Sequence, residues 1–428
     1  MNSSSDRAGE FWLAGKPTDR RAGTLTLEPG EVGRLTTKGA LTTTAVTDSP
    51  GVYHLEPDTL ARTVHGVLHN GTPVTLLDSL NTGYIGGLLP NEQDEQRISL
   101  QVILGAHLSG RDHRFTRTRF CIQGLNAPTI IPDESVPVTG GGSINIELRD
   151  SATWLTMEDL PEASIRELDR RYMRPLASLV SLACGQDAGL LGVEVASGKQ
   201  WLKVHSPSHR TQNIPWPAQS LLHPGDLHLQ TLAHWLDRVE LLGPLPPVVV
   251  RMLDGDNTLE AQVLELATVA EGLHRRLRPD TLRFPVEVGA AVRAAAVDAA
   301  ASIEPAARDA VKGFLTFVHE PGYAQRLKEL AEMAELVAPG ITGKTSKWRV
   351  HVYEARNDFA HRSRQGWLDE AEIDRYLAVA VSLRWLLRAV LLDQAGLSHE
   401  HLRQRFRTYG PYQLFLSQAR DWLPDTYG

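Results

Sequence analysis

Residues 356–361 read Arg-Asn-Asp-Phe-Ala-His, inside a stretch that begins near Trp348 and is predicted to be helical. A guanidinium keeps its positive charge and can hold a phosphate, whereas an imidazole can move a proton near pH 7. On a helix, Asn357 and His361 lie on one face, one turn apart. The stretch therefore predicts a small site that is able to cleave RNA.

Positive charge is concentrated around this stretch. Between residues 344 and 364 there are six basic side chains against two acidic ones, whereas the whole chain has a formal net charge of −7. The basic residues are Lys344, Lys347, Arg349, Arg356, Arg362 and Arg364. A local excess of this kind favours an RNA backbone. Arginine and histidine at this spacing also occur by chance on solvated helix surfaces, so the interpretation depends on the rest of the chain.

The composition is typical of a soluble globular protein. The chain has 428 residues, of which 42% are hydrophobic and 22% charged, so two or three domains are expected. The negative net charge argues against a protein that coats DNA, but not against a local nucleic-acid site. Two isolated cysteines, Cys121 and Cys184, indicate a protein of the reducing cytoplasm without a disulfide framework. No apolar run predicts a signal peptide or a membrane span.

The first half of the chain has the pattern of short strands joined by turns. Asn70-Gly71 between two β-rich runs predicts a hairpin, and further alternating stretches indicate a β-sandwich or an open barrel with some helices. Arg114, Arg117 and Arg119 on one such stretch could hold an anion, although a solvated sheet face is the preferred interpretation. The histidines of this half lack the tight spacing of metal ligands, so no metal site is predicted.

The second half of the chain has a helical pattern. Gly-Pro-Leu-Pro-Pro at residues 243–247 predicts a domain boundary near residue 248. After it, apolar residues recur at intervals of three and four, which predicts five or more helices in an up-and-down bundle. We therefore predict an α+β, two-domain chain, with a β-rich, sandwich-like domain at 1–248 and an all-α bundle at 249–428.

A second phosphate-binding pattern precedes the motif. Residues 340–345 read Gly-Ile-Thr-Gly-Lys-Thr, similar to a nucleotide-binding P-loop, but Ala338 stands where that loop needs a glycine. The segment also follows a predicted helix and not a strand. Nucleotide hydrolysis is therefore not predicted, whereas Lys344 stays a candidate for contact with an RNA phosphate.

Three parts of the sequence together resemble one protein family. Residues 356–361, late in an all-helical half and before a long amphipathic helix, resemble the HEPN ribonuclease signature of Arg, a polar residue and a later His. Residues 74–78 and 105–107 resemble the N-terminal domain of ApeA-type anti-phage proteins, and residues 271–276 resemble the first helix of their HEPN domain. The similarity covers most of the chain.

This resemblance implies a metal-independent endoribonuclease of an abortive-infection system, without a cofactor. Such enzymes are cytoplasmic, are activated by a phage-encoded trigger protein and cut RNA, often tRNA. They act as dimers or dimers of dimers, in which two motifs form one composite site. The β-rich domain at 1–248 would then be the sensor or regulatory domain, and 249–428 the HEPN ribonuclease domain; the sequence does not decide between sensing and restraint.

The chemistry of metal-free RNA cleavage assigns roles to the motif. The neighbouring 2′-hydroxyl attacks the phosphorus, which requires a base, an acid and positive charge on the transition state. His361 is assigned to proton transfer, Arg356 to charge stabilisation and Asn357 to hydrogen bonding with either the histidine or the phosphate. Further candidates for substrate binding are Asp358, Lys344, Lys347, Arg362, Arg364 and Glu271.

Two alternatives stay open at this stage. The helical bundle could be a non-catalytic RNA- or protein-binding module beside a β-rich sensor. In the second alternative, Arg356 and His361 are structural and pair with Glu354 or Asp369 between helices. Substitution of His361 separates the first alternative from catalysis, and the melting temperature separates the second.

Overall fold

The computed structural model describes residues 6–42, 45–49, 52–55, 59–86, 93–125, 135–149, 152–253, 257–361 and 368–428. The chain forms two compact units, one made of Met1–Cys184, Ala188–Ala218 and Leu222–Asp237, and one made of Gly185–Asp187, Gln219–Leu221 and Arg238–Gly428. The first is rich in strands and the second is helical, which confirms the predicted α+β fold class. A functional domain boundary at residue 248 stays a prediction.

The strands occupy the first unit. Their bounds are β1 (Asp6–Leu13), β2 (Arg21–Thr26), β3 (Gly33–Thr37), β4 (Ala45–Ser49), β5 (Val52–Leu55), β6 (Arg62–Leu68), β7 (Pro73–Ile85), β8 (Asp94–Ser99), β9 (Gln101–Leu104), β10 (Thr118–Ile122), β11 (Val136–Pro137), β12 (Ser143–Arg149), β13 (Ala152–Glu158), β14 (Leu190–Ser197) and β15 (Gln200–His205).

Six of these strands close into a barrel. Their order is β7-β6-β1-β2-β3-β8, and β8 also pairs with β7, so these six strands form a closed barrel. Phe11, Leu25 and Leu76 are fully buried in its core. The hairpin predicted at Asn70-Gly71 is confirmed, because β6 pairs antiparallel with β7 and Gly71 has a φ of 80°.

The sheet continues beyond the barrel through β9, β15, β14, β10, β13, β12 and β11. The arginines predicted to lie on a solvated face are here: Arg119 is only 8% exposed, and its Nε donates to a Glu194 carboxylate oxygen at 2.8 Å. Arg117 lies 3.7 Å from Glu158, and Arg114 pairs with Glu167. The solvated-face interpretation is wrong for Arg119, because acids from other strands and helices compensate this basic cluster.

The helices of the chain follow in order. Their bounds are α1 (Ile165–Leu168), α2 (Arg174–Cys184), α3 (Leu229–Leu242), α4 (Leu245–Arg251), α5 (Leu259–Leu277), α6 (Val286–Ile303), α7 (Pro305–Phe314), α8 (Tyr323–Glu335), α9 (Thr345–His361), α10 (Glu370–Asp393), α11 (His399–Thr408), α12 (Gly410–Trp422) and α13 (Pro424–Tyr427). A π-helical turn, Asp169–Met173, separates α1 from α2. Among the described helices, none combines the length and the apolar character that crossing a membrane requires.

Helices α5, α8, α9 and α10 pack against one another and form the centre of the helical unit. Leu273 of α5, Leu327 of α8 and Leu386 of α10 are fully buried. Thr258 caps the start of α5, since its side chain accepts a hydrogen bond from the Ala261 amide. This packing fixes α9, the helix that carries the motif, on three sides.

Candidate functional site

One face of α9 is fixed by burial. Trp348, Val352 and Ala355 recur at intervals of four and three and are fully buried. The Trp348 indole also donates a hydrogen bond to Ser382 Oγ of α10 at 2.9 Å, which sets the rotation of the helix about its axis. The opposite face of α9 is consequently turned away from the core, and it carries the polar residues of the motif.

Arg356 is held by two other helices. Its guanidinium carbon lies 4.7 Å from the centre of the Tyr323 ring of α8, and its Nη2 lies 3.4 Å from a carboxylate oxygen of Glu271 on α5. The Arg356 side chain is still 30% exposed. Both contacts hold the guanidinium in one orientation. Part of its donor fork stays open to an anion.

A chain of alternating charges continues behind Arg356. Glu271 also accepts from Arg275 at 3.3 Å, Arg275 donates to Glu320, and Glu320 accepts from Arg326 at 2.7 Å. Arg326 is 4% exposed. A buried cation of this kind is stable only with a compensating carboxylate, so each pair in the chain constrains the next. Glu271 therefore links the motif to the core of the helical unit.

His274 ends this network as a neutral imidazole. Arg326 Nη1 lies 3.3 Å from His274 Nδ1, and because arginine can only donate, Nδ1 is the acceptor. The ring proton is then on Nε2, which donates to a Glu329 oxygen at 2.8 Å. Burial lowers the pKa of His274 below its ordinary value, and the bond to Glu329 opposes that shift only in part.

Asn357 lines a cleft on the exposed side of α9. The cleft has a volume of about 640 Å³ and opens to solvent. Most of its wall comes from α9, with Ala324 added by α8 and Arg375 by α10; the α9 residues are Ser346, Arg349, Val350, Tyr353, Glu354, Asn357 and Asp358. A space of this size on the motif-bearing face can accept a group as large as a nucleotide.

Asp358 connects α9 to α10. Its Oδ2 accepts hydrogen bonds from Arg375 at 3.2 Å and from the Tyr376 hydroxyl at 3.1 Å. Arg375 also lies 3.5 Å from Glu354, and the Phe359 ring packs 4.5 Å from the Tyr376 ring. Arg375 thus offsets one of the two negative charges of Glu354 and Asp358, and Asp358 connects the motif helix to its neighbour.

Lys344 and Lys347 lie at the other end of α9. Lys344 Nζ donates to the Asp425 carbonyl at 3.2 Å, and Lys347 Nζ pairs with the Asp425 carboxylate at 3.2 Å. At about 1.5 Å per residue, Lys347 lies roughly 13 Å along the helix axis from Arg356. The structure therefore brings Arg356 into contact with Glu271 and places Asn357 and Asp358 on the cleft wall, whereas these two lysines pair with Asp425 near the start of the helix.

Three predicted residues are only partly covered by the described structure. His361 is the last residue of α9, and its side chain is not among the described atoms. Arg362 and Arg364 lie outside the described residues. The helical backbone at residue 361 nevertheless places His361 four positions after Asn357, on the face of α9 that borders the cleft.

Sequence reasoning missed Tyr323, which contacts Arg356, and the place of Arg349 in the cleft wall. Tyr323 comes from a different helix, and no local pattern could have connected it with the motif. Arg349 was counted only as positive charge, although it lines the cleft. Its position seven residues before Arg356, which is two helical turns, was a signal that could have been used.

No cluster of metal ligands is present among the described side chains: none of the groups of His, Cys, Asp and Glu there has three members arranged around one point. Two histidines of the barrel unit, His65 and His107, stack on each other at 4.9 Å and donate to the Leu108 and Gly66 carbonyls at 2.8 and 2.9 Å. These contacts use the rings in packing.

Comparison with protein families gives two matches along the chain. The model described as ApeA N-terminal domain 1 matches residues 6–127, and the model described as Apea-like HEPN matches residues 264–401. Together they cover more than half of the chain. The second match includes Glu271 of α5, Arg356 of α9 and every residue that lines the cleft. Neither a curated protein nor a solved structure matches the chain significantly.

Proposed function

The chain belongs to the ApeA-type proteins that carry a C-terminal HEPN domain, and from this premise we propose that it is an endoribonuclease of an anti-phage defence system. The observation that carries the proposal is the position of Arg356. Its guanidinium is oriented by Tyr323 and Glu271, and the next residue on the same helix, Asn357, lines the cleft.

The proposed reaction uses the RNA's own 2′-hydroxyl as the nucleophile. His361 moves a proton at the 2′-oxygen or at the leaving 5′-oxygen, and Arg356 stabilises the negative charge that develops on the phosphoryl oxygens. Asn357 holds the phosphate or the imidazole by a hydrogen bond. The products are a 2′,3′-cyclic phosphate and a 5′-hydroxyl, and no metal or cofactor takes part.

A complete site requires two copies of the chain. One motif contributes one histidine, whereas the reaction needs both a base and an acid. Two HEPN domains that face each other across a two-fold axis supply both groups. We therefore propose a homodimer or a dimer of dimers in the cytoplasm, activated by a phage-encoded trigger protein and acting on tRNA or another RNA, with the β-rich part in a regulatory role.

Glu271 acts through Arg356 in this proposal. A carboxylate repels a phosphate, but here it accepts a hydrogen bond from the guanidinium that binds the phosphate. The bond is long and comes from Nη2, so the other donors of Arg356 stay available to RNA. Glu271 is thus a positioning residue for Arg356 and not a direct ligand of the substrate.

A second candidate function is supported by the same ion pair. Arg356 bridges α9 to α5 through Glu271, as a purely structural arginine would. The two partners expected from the sequence are engaged elsewhere, since Glu354 pairs with Arg375 and Asp369 caps α10. If Arg356 is structural, no catalytic cation is supplied by the motif, and the helical unit then binds RNA or protein without cleaving it.

The test of these two functions is the His361→Ala variant of the full chain. We expect it to lose about 10²-fold or more of its RNA cleavage, the usual contribution of a general acid or base, while its melting temperature stays unchanged. His234→Ala is the matched control, because His234 is an exposed histidine on α3. Cleavage that survives in His361→Ala would exclude His361 as the catalytic residue, whereas a parent chain that binds RNA without cleaving it would favour the second candidate.

A further inference from the structure

Arg349 is the cation of the cleft whose charge is not compensated. Arg356 faces Glu271, and Arg375 faces Glu354 and Asp358. Among the described residues, Arg349 has no carboxylate partner; its Nη1 donates to the Ala324 carbonyl at 3.2 Å. Its Nε is buried and has no hydrogen-bond acceptor there. Arg349 Nη2 has no described hydrogen-bond acceptor, so this nitrogen can donate to an incoming acceptor oxygen.

An aromatic side chain lies one turn after Arg349 on the same wall of the cleft. Tyr353 is 47% exposed and Val350 is 52% exposed, so both side chains are accessible to a ligand in the cleft. Exposed aromatic rings beside an arginine are the means by which proteins bind single-stranded nucleic acid, since every base has a face that can stack.

The cleft wall and the motif share one helix face. Ser346, Val350, Tyr353, Asn357 and His361 recur along α9 at intervals of four, three, four and four. Residues at these intervals lie in one stripe. Arg349 and Arg356 are seven residues apart and therefore border this stripe on the same side, separated by about 10 Å along the axis.

From these relationships we propose that the cleft along α9 is a nucleotide subsite for the RNA strand, in which Arg349 holds a phosphate next to the scissile one and a base stacks on Tyr353. This inference rests on the proposed function, because it assigns a substrate path to the same site. The phosphate accepts from the Arg349 fork, whose geometry matches two phosphate oxygens. Arg375 pairs with both Glu354 and Asp358 and offsets one of their two negative charges.

The test measures binding without cleavage. The probe is a fluorescein-labelled single-stranded oligoribonucleotide with 2′-fluoro sugars, which cannot undergo 2′-hydroxyl attack, and its anisotropy is followed with the full chain at several salt concentrations. In Arg349→Gln we expect the slope of log K against log salt to become less steep by about 0.7, the value for one lost phosphate contact on a single strand. Arg407→Gln is the charge-matched control, because Arg407 is an exposed arginine on α11, and its slope should equal that of the parent.

The stacking contact is tested at Tyr353. Tyr353→Ser is expected to weaken binding about 5- to 100-fold, whereas Tyr353→Phe, which keeps the ring, should bind like the parent. A 5-iodouridine in the probe should also crosslink to the peptide that contains Tyr353. Equal melting temperatures of the three proteins show that the change acts on binding and not on folding.

The failure of this inference can be told apart from the failure of the proposed function. If His361-dependent cleavage is present but Arg349→Gln and Tyr353→Ser leave KM and the salt slope unchanged, the subsite is wrong and the ribonuclease proposal stands. If the slope and the stacking effects are present without His361-dependent cleavage, the subsite stands and catalysis is wrong. A parent protein that does not bind the probe overturns the subsite.

Discussion

The guanidinium of Arg356 lies 4.7 Å from the centre of the Tyr323 ring, on a helix that precedes the motif helix in the chain. Burial raises the pKa of Tyr323 above its ordinary value, so the ring stays neutral and its face attracts the cation. The Tyr323 hydroxyl donates to the Ala267 carbonyl at 3.2 Å, which holds the ring in place. The orientation of Arg356 therefore depends on α5 and α8 as well as on its own helix.

Removal of the Tyr323 ring should impair catalysis. In Tyr323→Leu the cation–π contact is lost, and we expect kcat to fall about 3- to 30-fold, which corresponds to the usual strength of such contacts. Tyr323→Phe keeps the ring and is the control; it should retain most of the activity. Steady-state cleavage of a labelled RNA and the melting temperature of each variant check this prediction. A Phe variant as inactive as the Leu variant would mean that the hydroxyl, and not the ring, is what matters.

Neutralising Glu271 should strengthen RNA binding. The carboxylate competes with phosphate for Arg356, and both side chains are partly exposed, so Glu271→Gln is expected to lower Kd only about two- to fivefold. The glutamine still accepts a hydrogen bond, which keeps the orientation of Arg356. Fluorescence anisotropy with the 2′-fluoro probe measures this change. Weaker binding in Glu271→Gln would contradict the assigned competition.

The link between Asp358 and Arg375 should be a stability feature. Their atoms lie 3.2 Å apart with about a fifth of each side chain exposed, at 19% and 23%. A double-mutant cycle with Asp358→Ala and Arg375→Ala should give a coupling free energy of unfolding of about 1 kcal/mol. Urea denaturation of the four proteins provides the value. Additive effects would show that the pair contributes nothing beyond the two separate side chains.

The buried His274 should make stability depend on pH below neutrality. Because its folded pKa is lowered, the unfolded chain binds a proton first, so the free energy of unfolding falls as the pH decreases below the unfolded value of about 6.5. One such group contributes at most about 1.4 kcal/mol per pH unit. Above pH 7 the imidazole is neutral in both states and the contribution is constant.

Substitution of His274 tests that dependence. His274→Gln removes the titrating group but leaves a hydrogen-bonding side chain between Arg326 and Glu329. We expect this variant to be less stable than the parent at pH 7.5 and to lose less stability between pH 7 and pH 5. His234→Ala, at an exposed position, should follow the parent curve. Parallel curves for the parent and the His274 variant would assign the acid sensitivity to other groups, such as His209 of the first unit, whose pKa burial lowers to about 4.

Local sequence patterns were enough to predict several features of the site and of the fold. The spacing of Asn357 and His361 predicts that they share a helix face, and the helical bounds of α9 include both. The Asn70-Gly71 turn marked the β6–β7 hairpin because its signal is contained in a few residues. Both features depend on short-range geometry, which is why they could be inferred without the fold.

Long-range pairings could not be obtained in this way. The closure of the barrel joins β7 to β8 in a register that only the whole sheet determines. Acids distant in sequence, Glu271 and Asp425, neutralise cations that looked unopposed in the window around the motif. Charge counted along a segment therefore overestimates the field at a folded site, because the tertiary structure supplies counter-charges from other elements.

Chelation of metal separates this mechanism from metal-assisted hydrolysis. The positive charge in the proposed transition state comes from Arg356, so an excess of EDTA should leave the rate of RNA cleavage unchanged. The control is a metal-dependent nuclease that loses its activity in the same buffer. A rate that falls on chelation and returns with Mg²⁺ or Mn²⁺ would contradict the assigned chemistry.

The chemical identity of the new RNA ends tests the central claim most directly. Mass spectrometry of the fragments made by the activated full chain should find a 2′,3′-cyclic phosphate on one side of the cut and a 5′-hydroxyl on the other. Both should be missing with His361→Ala at an unchanged melting temperature. Fragments with a 5′-phosphate, or cyclic ends that still form in His361→Ala, would contradict the account.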